Sequence, residues 1–249
     1  MDLTRDTVDS KLARLGPEVV LFDLAELVPG LARKHRVREM EGAFYEFVAK
    51  FVNKPVLLAG PVVPGIPGSS LEYDKGRWLN GFGPGAVVYC ALGSECALEN
   101  DQFRRLVLGL GLSGRPFLAA LKPPVNYQTT ESALPKGILE RTKDRGMIHG
   151  GRVQQQLILH HPSVGCFVTH CGAGSLSGAM MSECQLVMLP QAVDQFINAR
   201  LMSSYLRVGI EVEKRDYHGF FTRQAVRKAI NLVMEEESEV GKECESQSC

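Results

Sequence analysis

Glycines and polar residues follow the end of an apolar run in the stretch GCFVTHCGAGSLSGAMM, which begins at Gly165. Its first half is typical of a buried strand and its second half of a helix. Between them, Gly172 and Gly174 let the backbone approach an anion with no Cβ in the way. The N–H groups at a helix start hold phosphate well, and His170 and Ser175 add two hydrogen-bonding side chains. The spacing indicates a phosphate-binding turn, although a tight strand-to-helix turn without a ligand shares these local features.

Two further strand ends carry small or polar residues. YCALGSE places Gly93 and Ser94 after one apolar run, and LPQAVDQ places Asp194 and Gln195 after another, where they can exchange hydrogen bonds with hydroxyl groups. In an open parallel sheet, ligands sit beyond the carboxyl ends of the strands. We therefore expect these residues to share one edge of a sheet and to favour a polar, phosphate-bearing ligand.

A second glycine pattern, GLGLSG at residues 109–114, matches the G-x-G-x-x-G fingerprint of dinucleotide-binding loops. It follows a helix and precedes a strand, the reverse of the order that such a loop requires. We interpret it as glycine capping at a helix C-terminus. An NAD(P)-dependent dehydrogenase is a remote alternative, because GAGSLSG imitates a related fingerprint. That alternative needs an acidic residue at the end of the next strand, and CQLVMLPQ has none.

Short apolar runs alternate with amphipathic ones, which predicts an α/β fold with a parallel sheet. From residue 86 to residue 235 the alternation is regular and indicates a doubly wound, Rossmann-like domain. Residues 61–85 are rich in Pro, Gly and Ser and are interpreted as a linker between residues 1–60 and residues 86–249. In the last amphipathic run, TRQAVRKAINLVMEE, Thr222 is the expected N-cap.

The composition excludes several classes of protein. Lys+Arg and Asp+Glu both count 28, so the net charge of zero offers no basic surface for nucleic acid or an anionic membrane. No apolar run reaches the roughly 20 residues that span a bilayer, and the N-terminus lacks the apolar core of a secretory signal. The seven cysteines are scattered and odd in number, which predicts reduced thiols in the cytoplasm. Neither the cysteines nor His160 and His161 have metal-ligand spacing, so no metal is expected.

Residues 151–195, GRVQQQLILHHPSVGCFVTHCGAGSLSGAMMSECQLVMLPQAVDQ, closely resemble the nucleotide-sugar signature of plant-type UDP-dependent glycosyltransferases. They look most like the branch that extends sugars on flavonoid, anthocyanin or terpenoid glycosides, and supporting similarity runs from Leu57 to Glu243. The resemblance implies a GT-B fold, in which two Rossmann-like domains face one another and the C-terminal one holds most of the UDP-sugar. It implies UDP-sugar as co-substrate, no other cofactor, and a small acceptor such as a flavonoid glycoside.

The resemblance also assigns roles to individual residues. Arg152 stands where the family has a tryptophan that stacks on uracil, Val153 meets the base through its backbone, and Gln155 corresponds to a ribose-contacting glutamine. The family's diphosphate contacts match Ser94, His170, Gly174 and Ser175. Its contacts to the sugar hydroxyls match Asp194 and Gln195. A glutamine as the second residue of that pair resembles the family members that use UDP-glucose as the donor.

Two positions depart from the family pattern within the signature. A guanidinium plane can stack on a base, so Arg152 weakens the base contact rather than abolishing it. Gly178 replaces a glutamate that binds the ribose hydroxyls in the family, and it places glycine inside a helix. Together these changes are expected to lower donor affinity by roughly a hundredfold or more. Restoring Arg152→Trp and Gly178→Glu is expected to tighten UDP binding.

The segment VVLFDLAEL resembles the part of the family's N-terminal domain that holds the catalytic aspartate, here Asp23. Family chemistry inverts the anomeric carbon: a histidine takes the acceptor's proton and the aspartate orients that histidine. No histidine precedes Asp23, and His35 on the following helix is a poor substitute, so Asp23 has no partner.

Residues 1–60 resemble only part of an acceptor-binding domain. We interpret the chain as a truncated, internally deleted member with impaired or absent turnover, transferring a hexose to a small plant metabolite if it is active. The alternative is a non-catalytic fragment that binds UDP-sugar weakly or pairs with an intact relative. Apolar faces left uncovered by the missing elements predict self-association.

Overall fold

The computed structural model describes residues 50, 65, 67–215 and 220–235 of the 249-residue chain. Nearly all of residues 1–60, including Asp23 and His35, lie outside the described part. The expectations placed on that segment therefore stay predictions.

Helices and strands alternate through the described residues. The helices are α1 (Tyr73–Leu79), α2 (Asn100–Leu112), α3 (Thr130–Ala133), α4 (Ile138–Thr142), α5 (Gln155–Leu159), α6 (Ala173–Ala179), α7 (Val193–Arg200), which continues into a π-helical turn (Leu201–Tyr205), and α8 (Arg223–Met234). The main strands are β1 (Val87–Ala91), β2 (Phe117–Ala120), β3 (Gly146–His149), β4 (Val164–Thr169), β5 (Gln185–Met188) and β6 (Gly209–Glu211), and a small hairpin is formed by β7 (Lys214–Arg215) and β8 (Phe220–Phe221).

The six main strands form one sheet in the order β3-β2-β1-β4-β5-β6, and every neighbouring pair is parallel. All five residues of β1 are buried, because helices cover both faces of the sheet. Val88 and Cys90 pack on the side of α2 and α8, whereas Tyr89 packs on the other side, where its ring stacks on Phe167 with ring centroids 5.1 Å apart. The predicted doubly wound parallel sheet is confirmed.

The strand order reverses between β1 and β4. The chain moves outward from β1 to β2 and β3, and then returns to add β4, β5 and β6 on the other side of β1. Loops from two neighbouring strands diverge at such a point, so a crevice opens at the carboxyl edge of the sheet between them. Residues that follow β1 and β4 are therefore the ones best placed to hold a ligand.

Part of the predicted linker has regular structure. Helix α1 lies within residues 61–85, and its Leu79 is fully buried in the core layer that contains Tyr89. Trp78 packs edge to face on Phe82, with ring centroids 4.7 Å apart. This helix has few buried positions, which is why its sequence shows little periodicity. The division of the chain into domains at this segment stays a prediction.

The glycines of GLGLSG have two different roles. Gly114 follows the end of α2 with a φ of +79°, which is the predicted helix-ending role. Gly109 instead lies inside α2 where α8 crosses it: a Cβ there would lie 2.6 Å from Cβ of Val226. The expectation that capping explains the whole pattern is wrong for Gly109, whose missing side chain lets the two helices approach closely.

The last helix follows its predicted pattern. Thr222 caps α8, since its hydroxyl accepts a hydrogen bond from the backbone N–H of Ala225 at 3.1 Å. The buried face of the helix consists of Val226, Ala229, Ile230 and Val233. Among the described residues, no helix combines the length and the apolarity needed to cross a membrane.

Candidate functional site

Three neighbouring strands end beside one another at the carboxyl edge of the sheet. Strand β1 is followed by Gly93 and the exposed Ser94, β4 by His170, and β5 by the turn that leads into α7 with Asp194 and Gln195. Because β4 pairs with both β1 and β5 in parallel, these residues share one edge, as the sequence predicted. Gly93, Ser94 and His170 also lie at the point where the strand order reverses, between β1 and β4.

The imidazole of His170 lies between two glycines. A Cβ on Gly93 would lie 2.6 Å from Nε2 of His170, and a Cβ on Gly172 would lie 2.5 Å from the same atom. Gly93 also has a φ of +78°, which favours glycine. A side chain on either glycine would thus displace the histidine ring from the position it occupies. The sequence-based reason for Gly172, close approach of an anion, is therefore incomplete.

His170 is half-buried, and its Nδ1 is buried with no hydrogen-bond partner in the described part of the chain. Burial lowers the pKa of His170 below its ordinary value of 6.5, and the nearby charge of Asp194 partly offsets this. The ring is therefore neutral at pH 7. A neutral imidazole carries one N–H donor and one acceptor, which suits a hydrogen bond to a phosphate oxygen.

Helix α6 begins directly after this histidine. Gly172 is its N-cap, and no side chain caps the helix there, while Gly174 is exposed with open space around its Cα. Ser175 in the first turn receives a hydrogen bond from Nε2 of Gln155, with 3.4 Å between Nε2 and Oγ. The fold therefore brings Gln155, predicted to contact a ribose, next to a residue predicted to contact a diphosphate.

The third strand end supplies Asp194 and Gln195 from the first turn of α7. Asp194 is exposed. Oε1 of Gln195 accepts hydrogen bonds from the backbone N–H groups of Gln191 at 2.8 Å and Ala192 at 3.0 Å, so it closes the start of the helix. This structural role was not predicted. It uses the oxygen of the amide and leaves Nε2 to donate to a ligand hydroxyl.

The buried residues around these strand ends hold the turn in place. Cys171 has a φ of +67°, and its carbonyl accepts a hydrogen bond from Nδ2 of Asn198 at 3.0 Å. Burial raises the pKa of the Cys171 thiol to about 12. Cys166 is likewise buried and Cys184 is half-buried, and all three are free thiols. Within the described residues, no group of three or more His, Cys, Asp or Glu side chains could hold a metal ion.

Comparison with known proteins identifies the family. A model of the family described as UDP-glucoronosyl and UDP-glucosyl transferase matches residues 53–242. UDP-glycosyltransferase 79B30 of Glycine max is 55% identical over 238 residues, which cover 96% of this chain and 51% of the relative. The chain belongs to this family. A cyanidin 3-O-galactoside 2''-O-xylosyltransferase of Actinidia chinensis is 55% identical over 206 residues, which cover 83% of this chain and 45% of the relative. The chain therefore spans about half the length of the curated relatives it matches.

Solved UDP-glycosyltransferase structures share the fold. A Phytolacca americana enzyme complexed with UDP-2fluoro-glucose and pterostilbene is 27% identical and superposes with a TM-score of 0.69 over 78% of this chain and 42% of that chain. A transferase of Siraitia grosvenorii in complex with UDP is 26% identical, with a TM-score of 0.68 over 85% of this chain and 52% of that chain. The described sheet therefore corresponds to part of the GT-B architecture of these UDP-glycosyltransferases.

The remaining predicted site residues of the UDP-glycosyltransferase signature lie in the loop after β3 and within α6. Arg152 is exposed and Val153 half-buried in the loop that precedes α5, and Gly178 is buried in α6. The roles assigned to these residues by resemblance stay predictions. The structure adds two glutamines to the region that the sequence did not single out: Gln154, beside Val153, and Gln156, beside Gln155.

Gln154 ties the loop to the segment before α1. Its Oε1 accepts a hydrogen bond from the backbone N–H of Glu72 at 2.7 Å, and its Nε2 donates to the carbonyl of Ser70 at 3.2 Å. Glu72 also forms an ion pair with Lys75, which is buried in α1. The amide thus uses both ends of its side chain to hold the loop that carries Arg152.

Replacing Gln154 with alanine is expected to weaken UDP binding by about three- to tenfold, because the loop loses both hydrogen bonds. The free energy of unfolding is expected to change by no more than about 1 kcal/mol, since the two bonds lie at the surface. Calorimetric titration with UDP and urea denaturation measure these effects. Gln224→Ala, an exposed glutamine on α8, is the matched control and should leave UDP affinity unchanged. Equal affinities for the two variants would contradict the positioning role of Gln154.

Proposed function

We propose that this chain binds a UDP-sugar at the carboxyl edge of its sheet and serves as a UDP-sugar-dependent glycosyltransferase. The observation that carries the proposal is the meeting of Ser94, His170 and the start of α6 at the reversal of strand order, in a member of this family. His170 and Ser175 hold the diphosphate. Asp194 and Gln195 hold the sugar hydroxyls, and Arg152 and Val153 meet the base.

The acceptor is a small plant metabolite or its glycoside. Relatives of this chain carry the names anthocyanidin 3-O-glucoside 2''-O-glucosyltransferase in Ipomoea purpurea and cyanidin 3-O-galactoside 2''-O-xylosyltransferase in Actinidia chinensis. Both names describe attachment of a second sugar to a flavonoid-type glycoside, so a glycoside of this class is the proposed acceptor. Glucose is the proposed donor sugar, on the basis of Gln195.

The described residues act on the leaving group in the proposed reaction. The acceptor oxygen bonds to the anomeric carbon from the face opposite to UDP, and the bond from that carbon to the β-phosphate oxygen breaks. Negative charge grows on the diphosphate as it leaves, and hydrogen bonds aimed at it from His170 and Ser175 stabilise that charge. The acceptor proton requires a base from outside the described residues. No histidine precedes Asp23 in the sequence to serve as that base, so turnover by this chain is expected to be impaired or absent.

Calorimetric titration of the whole chain with UDP-glucose, UDP and NAD tests the proposal. We expect UDP and UDP-glucose to bind and NAD not to bind. A transfer assay with UDP-glucose and a flavonoid glycoside then separates an active enzyme from a fragment that binds donor without turnover. Binding of NAD in preference to UDP would contradict the proposal and support a dehydrogenase.

Self-association is a separate proposal. Phe196 and Ile197 on α7 are 46% and 60% exposed, close to the sugar end of the candidate site. Exposed apolar side chains in one place favour protein contacts. Light scattering of the purified chain measures its oligomeric state directly.

A further inference from the structure

The carboxamide of Gln156 occupies the space that Gly178 leaves open. A Cβ on residue 178 would lie 2.9 Å from both Cδ and Oε1 of Gln156, and closer still to Nε2. Gln156 lies in the first turn of α5 and Gly178 in the middle of α6, so the two helices meet here through a side chain on one and bare backbone on the other. A side chain on residue 178 would therefore have to displace the amide of Gln156.

The same amide has an unused hydrogen-bonding atom. Oε1 of Gln156 is buried and has no hydrogen-bond partner anywhere in the described residues. Buried polar atoms are nearly always paired, so an unpaired one indicates a missing donor. A half-turn of the amide exchanges its oxygen and nitrogen, and the group can then accept from a hydroxyl or donate to one.

The position of Gln156 relates it to the candidate nucleotide site. The adjacent Gln155 donates a hydrogen bond to Ser175 in the first turn of α6, so the starts of α5 and α6 lie side by side. In a UDP-sugar the ribose is bonded directly to the diphosphate. A diphosphate held by His170 and Ser175 therefore places the ribose beside the start of α5.

We propose that Gln156 is a ribose-contacting residue of this chain, and that its amide takes the place of the carboxylate missing at Gly178. The inference rests on the proposed function and adds to it a second residue, besides Gln155, that selects ribose. A small rotation of the flexible glutamine side chain brings its amide to a ribose hydroxyl. The contact is uncharged. The expectation that Gly178→Glu alone tightens UDP binding must then be revised, because the glutamate and Gln156 would need the same space.

The first test compares UDP with 2′-deoxy-UDP and 3′-deoxy-UDP by calorimetry on the natural chain and on Gln156→Ala. We expect the natural chain to bind UDP about three- to tenfold more tightly than at least one deoxy analogue. Gln156→Ala is expected to reduce that preference, and any remainder is attributed to Gln155, the other predicted ribose contact. Each ratio is measured on a single protein sample, so a partial loss of folded protein cancels. An unchanged preference in Gln156→Ala would overturn the inference.

The second test combines the two positions. Gly178→Glu alone is expected not to tighten UDP binding, whereas Gly178→Glu added to Gln156→Ala is expected to tighten it at least threefold relative to Gln156→Ala. Such non-additivity is what two residues competing for one space produce. Equal tightening in both backgrounds would overturn the inference. If the natural chain is folded, as judged by circular dichroism, yet binds no UDP, the proposed function is overturned. If it binds UDP with no preference over either deoxy analogue, only the role of Gln156 is overturned.

Discussion

Replacing His170 with alanine is expected to weaken binding of UDP-glucose by about 10- to 100-fold. A hydrogen bond to a charged group contributes about 1.5–3 kcal/mol, and His170 is the half-buried side chain that the glycines at 93 and 172 hold in place at the reversal of strand order. The loss should appear in the dissociation constant measured by calorimetry. Because the lowered pKa keeps this ring neutral at pH 7, its removal leaves no buried charge unpaired, and the variant should remain folded.

The pH dependence of binding distinguishes His170 from a purely structural residue. Burial holds the pKa of His170 below 6.5 in the free chain, and a bound diphosphate favours the protonated ring and raises that pKa. Binding therefore takes up a proton, and UDP-glucose affinity should rise as the pH falls from 7 towards 5. His170→Ala should abolish this rise, and His170→Gln, which keeps a donor without titrating, is the matched control. A rise that persists in both variants would contradict the placement of the diphosphate beside His170.

The same lowered pKa has the opposite effect on the stability of the free chain. An unfolded chain has the ordinary histidine pKa of 6.5 and binds a proton before the folded chain does. Stability contributed by neutral His170 is therefore present above pH 6.5 and is lost as the pH falls through the folded pKa. Falling pH thus weakens the free fold at this residue while it strengthens binding of the donor.

Replacing Gly165 with alanine is expected to lower the free energy of unfolding by about 3 kcal/mol. Gly165 lies in β4 at an irregularity in its pairing with β1, where Val87 pairs with Val164 and Val88 with Cys166. A Cβ there would lie 2.8 Å from both C and Cα of Gly85 and closer still to its carbonyl oxygen. These are backbone atoms, which move only at the cost of strand pairing. Urea denaturation measures the loss.

Gly83→Ala is the matched control for that substitution. No atom lies within 4 Å of the position that its Cβ would take, so the free energy of unfolding should change by less than about 0.5 kcal/mol. The paired measurement separates a close backbone approach from the general effect of adding a methyl group. Equal urea midpoints for the two variants would show that the backbone of Gly85 does not approach Gly165 as described. The register of β1 and β4 also sets how Ser94 and His170 meet at the far end of the strands.

Local sequence patterns were sufficient to predict the strands and helices of the sheet domain and the sheet edge on which most candidate site residues lie. Strands such as β1 are continuous apolar runs because helices cover both of their faces, and the helix at Thr222 has its cap and its apolar face in the sequence itself. The carboxyl-edge position of His170 and Asp194 followed from the same reasoning, because parallel strands must end at one edge. Family resemblance then assigned the residues of the signature to parts of a UDP-sugar.

Only the tertiary structure decided which side chains meet. Helix capping was the sequence-based interpretation of Gly109, and the structure instead places this glycine where α8 crosses α2 at Val226. The same holds for His170 between two glycines and for Gln156 against Gly178, which are contacts between segments that are distant in the chain or lie on different helices. Periodicity in the sequence indicates which residues are buried, because the face on which a side chain lies depends on local backbone geometry. Which of them touch depends on strand register and helix crossing, and those are set by the packing of the whole sheet and its helices.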